Sequence, residues 1–315
     1  MGYTDKIREI AKKVLEEKTV DLVLGLKKGT IPMMTEPVLI KDAEKTHQLY
    51  WDSFCFINLA NYLPKREEKI GIIAKGCDSR NIAVHIVENQ IKREQLYIIG
   101  VPCEGMVDRR KIISLLGGRE VRGVTESDGN IIVKGEGFEH TLKKGDYLQD
   151  NCTRCMHRNP VIYDVLAGDL VEERKDPDPY DDVKAIEAMG SNEKWEFFSS
   201  LIKDCMRCYA CRDICPLCYC PTCFVDESDP QWVGKSLDPT DTMAFHILRA
   251  YHCAGRCTDC GACEQACPVD IRVRLFTRKL NKDVLDLYDC EAGLTTEERP
   301  PLDTYRPDDY DEFIR

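Results

Sequence analysis

The residues in this chain whose type and spacing can do chemistry are its cysteines. Cys205-x2-Cys208-x2-Cys211-x3-Cys215-Pro216 returns as Cys257-x2-Cys260-x2-Cys263-x3-Cys267-Pro268. Three thiolates two residues apart wrap a tight loop around one cubane of iron and sulfide, and the fourth, at the start of a following helix, points to the other cube. The spacing therefore predicts two 4Fe-4S clusters in crossed ligation. Cys205, Cys208, Cys211 and Cys267 hold one, and Cys257, Cys260, Cys263 and Cys215 hold the second. Tetrahedral zinc also takes CxxC pairs, but it has no use for a third evenly spaced cysteine and a following proline in both copies.

Between the two runs lie 41 residues, with Cys218, Cys220 and Cys223 near their start and Cys253 near their end. Four further thiols in one segment predict a third cluster; a zinc site or unligated buried cysteines are the alternatives. A helix over Asp241 to Ala250 would carry Cys253 back toward the first run. His246 and His252 are potential nitrogen ligands there, although a single histidine near a cluster more often packs or hydrogen-bonds.

The elements that must position the remaining thiols lie upstream, where the pattern is α/β. Asp5 to Glu17 has apolar residues at helical spacing, and Val20 to Leu26 is a short strand-like run. Lys69 to Ala74 reads as a buried strand that ends in Lys75-Gly-Cys77-Asp-Ser-Arg80 and is followed by a helix through about Gln90. Gln95 to Val101 repeats the strand, Pro102 to Gly105 the turn, and Met106 to Leu116 the helix, closed by Gly117-Gly118. Two consecutive strand-loop-helix units imply parallel pairing, with the loops at the carboxyl ends on one edge. Cys77 and Cys103 are then neighbours, and Cys152 and Cys155 form a CxxC that can close over the same edge. Val121 to Leu142 reads as a β-hairpin turning at Ser127 to Asn130. Lys75 and Arg80 flank the Cys77 loop, placed either to offset thiolate charge or to sit in solvent, and Asp78 or Ser79 can cap the helix.

The whole chain has 315 residues with 44 basic and 55 acidic side chains, a net charge of −11, and 18 cysteines. Of these, 12 lie between Cys205 and Cys267, and Cys55 and Cys290 fall outside the four sets. An acidic balance without clustered Lys and Arg argues against nucleic acid. No apolar run is long enough for a membrane span, and the amino terminus leads into a charged amphipathic segment rather than a signal. The expected setting is therefore cytoplasmic and reducing, where thiols serve metals more than disulfides. No nucleophilic triad, P-loop or dinucleotide-binding glycine motif is visible, so no catalytic residue is assigned.

Val101-Pro102-Cys103, and the stretch from Asn151-Cys152-Thr-Arg-Cys155 to Gly168-Asp169, resemble the beta subunit of coenzyme F-420-reducing hydrogenase and the related beta subunit of formate dehydrogenase. The two cysteine runs resemble bacterial-type ferredoxin, and Cys205 to Cys223 looks like the ferredoxin part of the same formate dehydrogenase subunits. The resemblance implies a cluster held by Cys77, Cys103, Cys152 and Cys155. It also implies an electron-transfer role in a multisubunit anaerobic complex, with a formate dehydrogenase or hydrogenase and an HdrA-like (heterodisulfide reductase) flavoprotein as partners. Members that bind FAD carry a glycine-rich element near the amino terminus, and such members imply the alternative of a flavin subunit that itself oxidises reduced coenzyme F-420 or NAD(P)H. Here a charged amphipathic helix stands in that place, and no glycine pair precedes Gly117-Gly118.

The expected fold is an α/β amino-terminal domain containing a parallel sheet (residues 1–170), a linker (171–190), an α+β ferredoxin-like dicluster domain with a cysteine-rich insertion (191–290) and an extended acidic tail (291–315).

Overall fold

The computed structural model describes residues 2–175 and 178–301. Helix α1 (Tyr3–Glu16) buries Ile7, Ala11, Val14 and Leu15 on one face, as its apolar spacing requires. It packs on a sheet that begins with β1 (Leu22–Lys28) and β2 (Thr35–Ile40), an antiparallel pair. Strand β3 (Ile70–Ala74) is buried along its whole length, as expected of a central parallel strand covered on both faces. It leads into α2 (Gly76–Val87), and β4 (Leu96–Gly100) leads toward α3 (Arg109–Leu116). Strands β5 (Val121–Ser127), β6 (Asn130–Gly135) and β7 (Phe138–Lys143) form a separate antiparallel sheet. The one-turn α4 (Asp150–Thr153) and the two-residue β8 (Val165–Leu166) follow.

The main sheet has the order β2-β1-β3-β4-β8, with β1, β3, β4 and β8 parallel. The loops after β3 and β4 therefore leave from the same edge. The carboxyl-terminal part is built from α5 (Asp181–Glu187), α6 (Ser191–Ile202), α7 (Ala210–Asp213), α8 (Pro239–His252), α9 (Ala262–Gln265) and α10 (Arg274–Tyr288). Among the described residues no helix is long and apolar enough to cross a membrane.

Three expectations are corrected. The expected hairpin is a three-stranded meander, because Glu136-Gly137 makes a second turn with Gly137 at φ 72°. Helix α3 starts at Arg109 rather than Met106: Asp108 accepts a hydrogen bond from the Arg110 N–H as its N-cap, and Val107 forms a β-bridge with Leu148. Among the described residues of 191–290 the elements are helices with no strand, so the α+β expectation there gives way to an all-helical frame. Residues on either side of the cysteine runs carry apolar side chains at helical spacing in α6, α8 and α10, which leaves no alternating run to form a strand.

The helical part docks on the edge of the main sheet through buried polar contacts. Asn81 Nδ2 donates to Thr258 Oγ1 (2.6 Å) and Asn151 Nδ2 to the Asp259 carbonyl (3.1 Å). Arg110 Nη1 donates to the Glu264 carbonyl (3.0 Å), and His85 Nε2 lies 2.7 Å from the Pro216 carbonyl. The second cysteine run is thus tied to α2, α3 and α4, and the first to α2.

Candidate iron-sulfur centres

The two runs adopt the same backbone. In the first loop Arg207 and Tyr209 have φ of 51° and 61°, and in the second the equivalent Asp259 and Gly261 have φ of 58° and 75°. A bulky residue in the left-handed region is strained unless its surroundings hold it there. Tyr209 is held: its hydroxyl accepts from Arg207 Nη2 (2.9 Å), and its ring packs edge-on against Phe245. Each loop then enters a one-turn helix, α7 or α9, that carries the third cysteine.

Cys205, Cys208, Cys211 and Cys267 line one tight cavity, so the fourth thiol comes from the opposite run. N–H groups point at these sulfurs: Arg207 N lies 3.4 Å from Cys205 Sγ, and Ile271 N lies 3.3 Å from Cys267 Sγ. His246 Nε2 is 3.3 Å from Cys205 Sγ. Burial, followed by the charges of Arg249 and Arg207, lowers His246 to about 4, so the ring is neutral and contacts the sulfur without adding a charge.

The thiols of the second crossed set lie deeper than those of the first, of which Cys208 is exposed. Cys215 and Cys257 pack together with Val84, Leu217 and Cys253, and Cys215 acts electrostatically on Cys257, Cys260 and Cys263. Hydrogen bonds with Cys218 and then Cys253 hold the Cys215 thiol well below its ordinary value, so Cys215 stands between this set and the insertion thiols. The loop itself is braced from α10. Arg274 pairs with Asp259 (2.8 Å) and Glu264 (3.3 Å), and Arg278 pairs with Asp259 and, at 2.9 Å, with Asp182.

The insertion thiols Cys218, Cys220, Cys223 and Cys253 line a third cavity of about 460 Å³, together with Arg212, Arg249 and Arg256. Cys220 is exposed and Cys253 buried. His252 packs edge-on against Phe224.

Cys77, Cys103, Cys152 and Cys155 line a fourth cavity of about 120 Å³ at the carboxyl edge of the main sheet. Cys77 lies in the first turn of α2, Cys103 just beyond β4, Cys152 in α4 and Cys155 just after it. Met106 N lies 3.3 Å from Cys152 Sγ. Gly76 lets this wall close: a Cβ there would meet the His157 carbonyl oxygen at 2.3 Å. Burial raises the thiols of Cys77, Cys103 and Cys152 and moves Cys155 up to about 11, against the opposing charge of Lys75 at Cys77 and Cys103. Buried thiolates are costly in such a place unless a cationic group comes with them, which is the chemistry of a metal-cluster ligand set.

Lys75 and Arg80 are both buried, so neither is solvated. Lys75 Nζ donates to Asp78 Oδ1 (2.8 Å), Asp78 Oδ2 (2.9 Å) and the Ile57 carbonyl (3.0 Å). Burial opposes its charge, but Asp78, followed by Cys77, outweighs burial and moves its pKa up. Arg80 donates to the Ala292 carbonyl and pairs with Glu291 at 2.9 Å. Asp78 therefore serves the lysine and the Lys75 N–H, while Ser79 Oγ donates to the Gly76 carbonyl and accepts from Val161 N.

The same cavity is also lined by Cys257, Cys260 and Cys290, which brings the amino-terminal set against the second run. Spacing gave no sign of Cys290, because it follows α10 far from any partner in sequence. Cys55 is buried in the main core, with its thiol 3.5 Å from Asp52 Oδ1. Among the described residues no group of three or more His, Cys, Asp or Glu side chains has the geometry to hold a single metal ion.

Known proteins are similar to this chain in sequence. A family model described as "4Fe-4S binding domain" matches residues 254–273, the second run. The "F420-dependent formate dehydrogenase subunit beta" of Methanocaldococcus jannaschii is 26% identical over 94% of this chain and 93% of that protein. The "F420-dependent formate dehydrogenase 1 subunit beta" of Methanococcus maripaludis is 25% identical over 79% of this chain and 80% of its own length. A chain of the F420-reducing NiFe hydrogenase complex from Methanosarcina barkeri aligns at a TM-score of 0.38 and 14% identity, over 48% of this chain and 58% of that one. Over nearly its whole length this mixed α/β chain is therefore similar to the beta subunits of F420-dependent formate dehydrogenases, and it carries a 4Fe-4S binding domain near its carboxyl end.

Proposed function

We propose that this chain is an iron-sulfur electron-transfer subunit of a cytoplasmic, anaerobic redox complex. It relays electrons between an oxidoreductase partner of formate dehydrogenase or hydrogenase type and an HdrA-like flavoprotein. Sixteen thiols serve four 4Fe-4S clusters in the sets described above. Residues 1–170 form the amino-terminal unit, 171–190 the linker, 191–290 the ferredoxin-type unit and 291–315 the acidic tail, of which 302–315 lie outside the described residues.

The observation that carries this reading is the convergence of thiols distant in sequence. Cys267 joins Cys205, Cys208 and Cys211 around one cavity, and Cys77 and Cys103 meet the later Cys152-Cys155 pair at another. A cubane bound by four thiolates exchanges one electron and has no open coordination position, so it conducts rather than catalyses. The protein's part is to hold the thiols apart at fixed angles, to aim N–H groups at sulfur and to keep water away, which together set the potential. The names of the curated relatives support a formate dehydrogenase neighbour.

Those names also favour a second reading, in which the chain binds flavin and itself accepts a hydride from reduced F420. Anaerobic purification separates the two. The relay reading predicts a brown protein whose broad visible absorbance is bleached by dithionite, with no extractable flavin and no F420 or NAD(P)H oxidation by the isolated subunit. One flavin per chain with that activity supports the second reading, and a colourless protein contradicts both.

A further inference from the structure

Arg249, on α8, is 5% exposed, and no ion pair with a carboxylate forms around it among the described residues. Its hydrogen bond there runs from Nη2 to the Cys211 carbonyl at 2.9 Å, and its buried Nε has no partner. A guanidinium stays charged in a protein, and burying a charge without a counter-ion is strongly disfavoured. The anionic partner must therefore come from what surrounds it, and what surrounds it is sulfur. Arg249 lines the insertion cavity beside Cys218 and Cys253, and it holds the backbone of Cys211 in the first crossed set. Its charge acts on Cys215 and Cys263 of the second crossed set as well as on Cys253 and Cys211.

The other buried cations near the thiols are engaged differently. Arg207 also pairs with no carboxylate among the described residues and has an unpartnered Nε, but it donates to the carbonyls of Gly234 and Ser236 and to the Tyr209 hydroxyl, and it lines the cavity of the first crossed set rather than that of the insertion. Arg274 and Arg278 are paired with carboxylates, and Lys75 is bound to Asp78.

Building on the four-set reading, we infer that Arg249 is the shared counter-charge of the two crossed sets and the insertion set, and that it holds their reduction potentials up together. Adding one electron to a thiolate-bound cubane adds one unit of negative charge and breaks no bond. A fixed buried cation favours that added charge, and its removal disfavours it in every set it faces. The amino-terminal set lies beyond this reach: among the cations lining its cavity, Lys75, Arg80, Arg154 and Arg278 are each paired with a carboxylate.

The test is an anaerobic redox titration of the full-length protein with dithionite, followed by EPR, for wild type, Arg249→Met and Arg249→Lys, with iron counted in each sample. At an ambient potential near the wild-type midpoints, Arg249→Met is expected to lower the reduced-to-oxidised ratio of three couples by about tenfold, which is about 59 mV for a one-electron couple. The fourth couple stays in place. Arg249→Lys, which keeps the charge, stays within about threefold of wild type, or roughly half that shift. Should Arg249→Met fail to load iron, Arg249→Gln carries the same comparison. Unmoved couples in an iron-replete uncharged variant overturn the inference, as does a shift as large in Arg249→Lys. An iron content of the wild type near half that expected overturns instead the four-set reading on which the inference rests.

Discussion

The amino-terminal site and the ferredoxin centre each enclose thiols around a buried cation, and they treat that cation in opposite ways. Lys75 is locked to Asp78 and a carbonyl before any cluster is considered, so the pair is nearly neutral toward Cys77 and Cys103. Among the described residues Arg249 pairs with no carboxylate, and it faces sulfur. Removing one member of a buried pair strands the other charge and destabilises the fold, whereas an unpaired cation itself costs stability and is available to the cofactor. The two regions should consequently respond differently when the cation is removed: the first by unfolding, the second by a change in redox equilibrium.

The largest expected stability effect therefore lies at the amino-terminal site. Lys75→Met leaves the Asp78 carboxylate buried and unpaired, which should cost about 3–5 kcal/mol and lower the midpoint of thermal unfolding of the anaerobic protein. Lys75→Met with Asp78→Asn should recover most of it. Arg249→Met strands no carboxylate, so its unfolding midpoint should move far less than that of Lys75→Met. Equal losses from the two substitutions would erase the distinction between the sites.

A smaller effect is expected where the end of the chain meets the amino-terminal unit. Glu291 accepts from His157 Nε2 (2.8 Å) and pairs with Arg80 (2.9 Å). Burial opposes its charge, but these partners outweigh burial and lower its pKa. A depressed carboxylate contributes stability that is fully present above its unfolded value, about 4.3, and is lost as pH falls through the folded value. Glu291→Gln should therefore cost about 1–3 kcal/mol at neutral pH, with the difference from wild type closing below the ordinary carboxylate range. Urea unfolding across that pH range measures it, and a constant difference at every pH would contradict the assignment.

Much of the sheet was legible because β3 and β4 are short, wholly apolar and each followed by a helix-patterned segment. The convergence of Cys77 and Cys103 follows from that repetition. Strand β2 was not legible: Thr35 to Ile40 contains Pro37, which signals an edge or a break, and here it sits on the edge strand of the sheet. The two residues of β8 carry no period at all. At the centres, spacing alone grouped Cys267 with the first run. No local pattern marks Arg249, Cys290 or the His85 contact with Pro216, because each depends on elements that meet only in three dimensions.

The central claim is that sixteen thiols in four sets hold cubanes. Counting iron and acid-labile sulfide per chain, with zinc and flavin, in anaerobically purified protein tests it most directly. Four loaded sets would give about sixteen iron with matching sulfide and no flavin. About eight iron would leave only the crossed ferredoxin pair and contradict the amino-terminal and insertion sets.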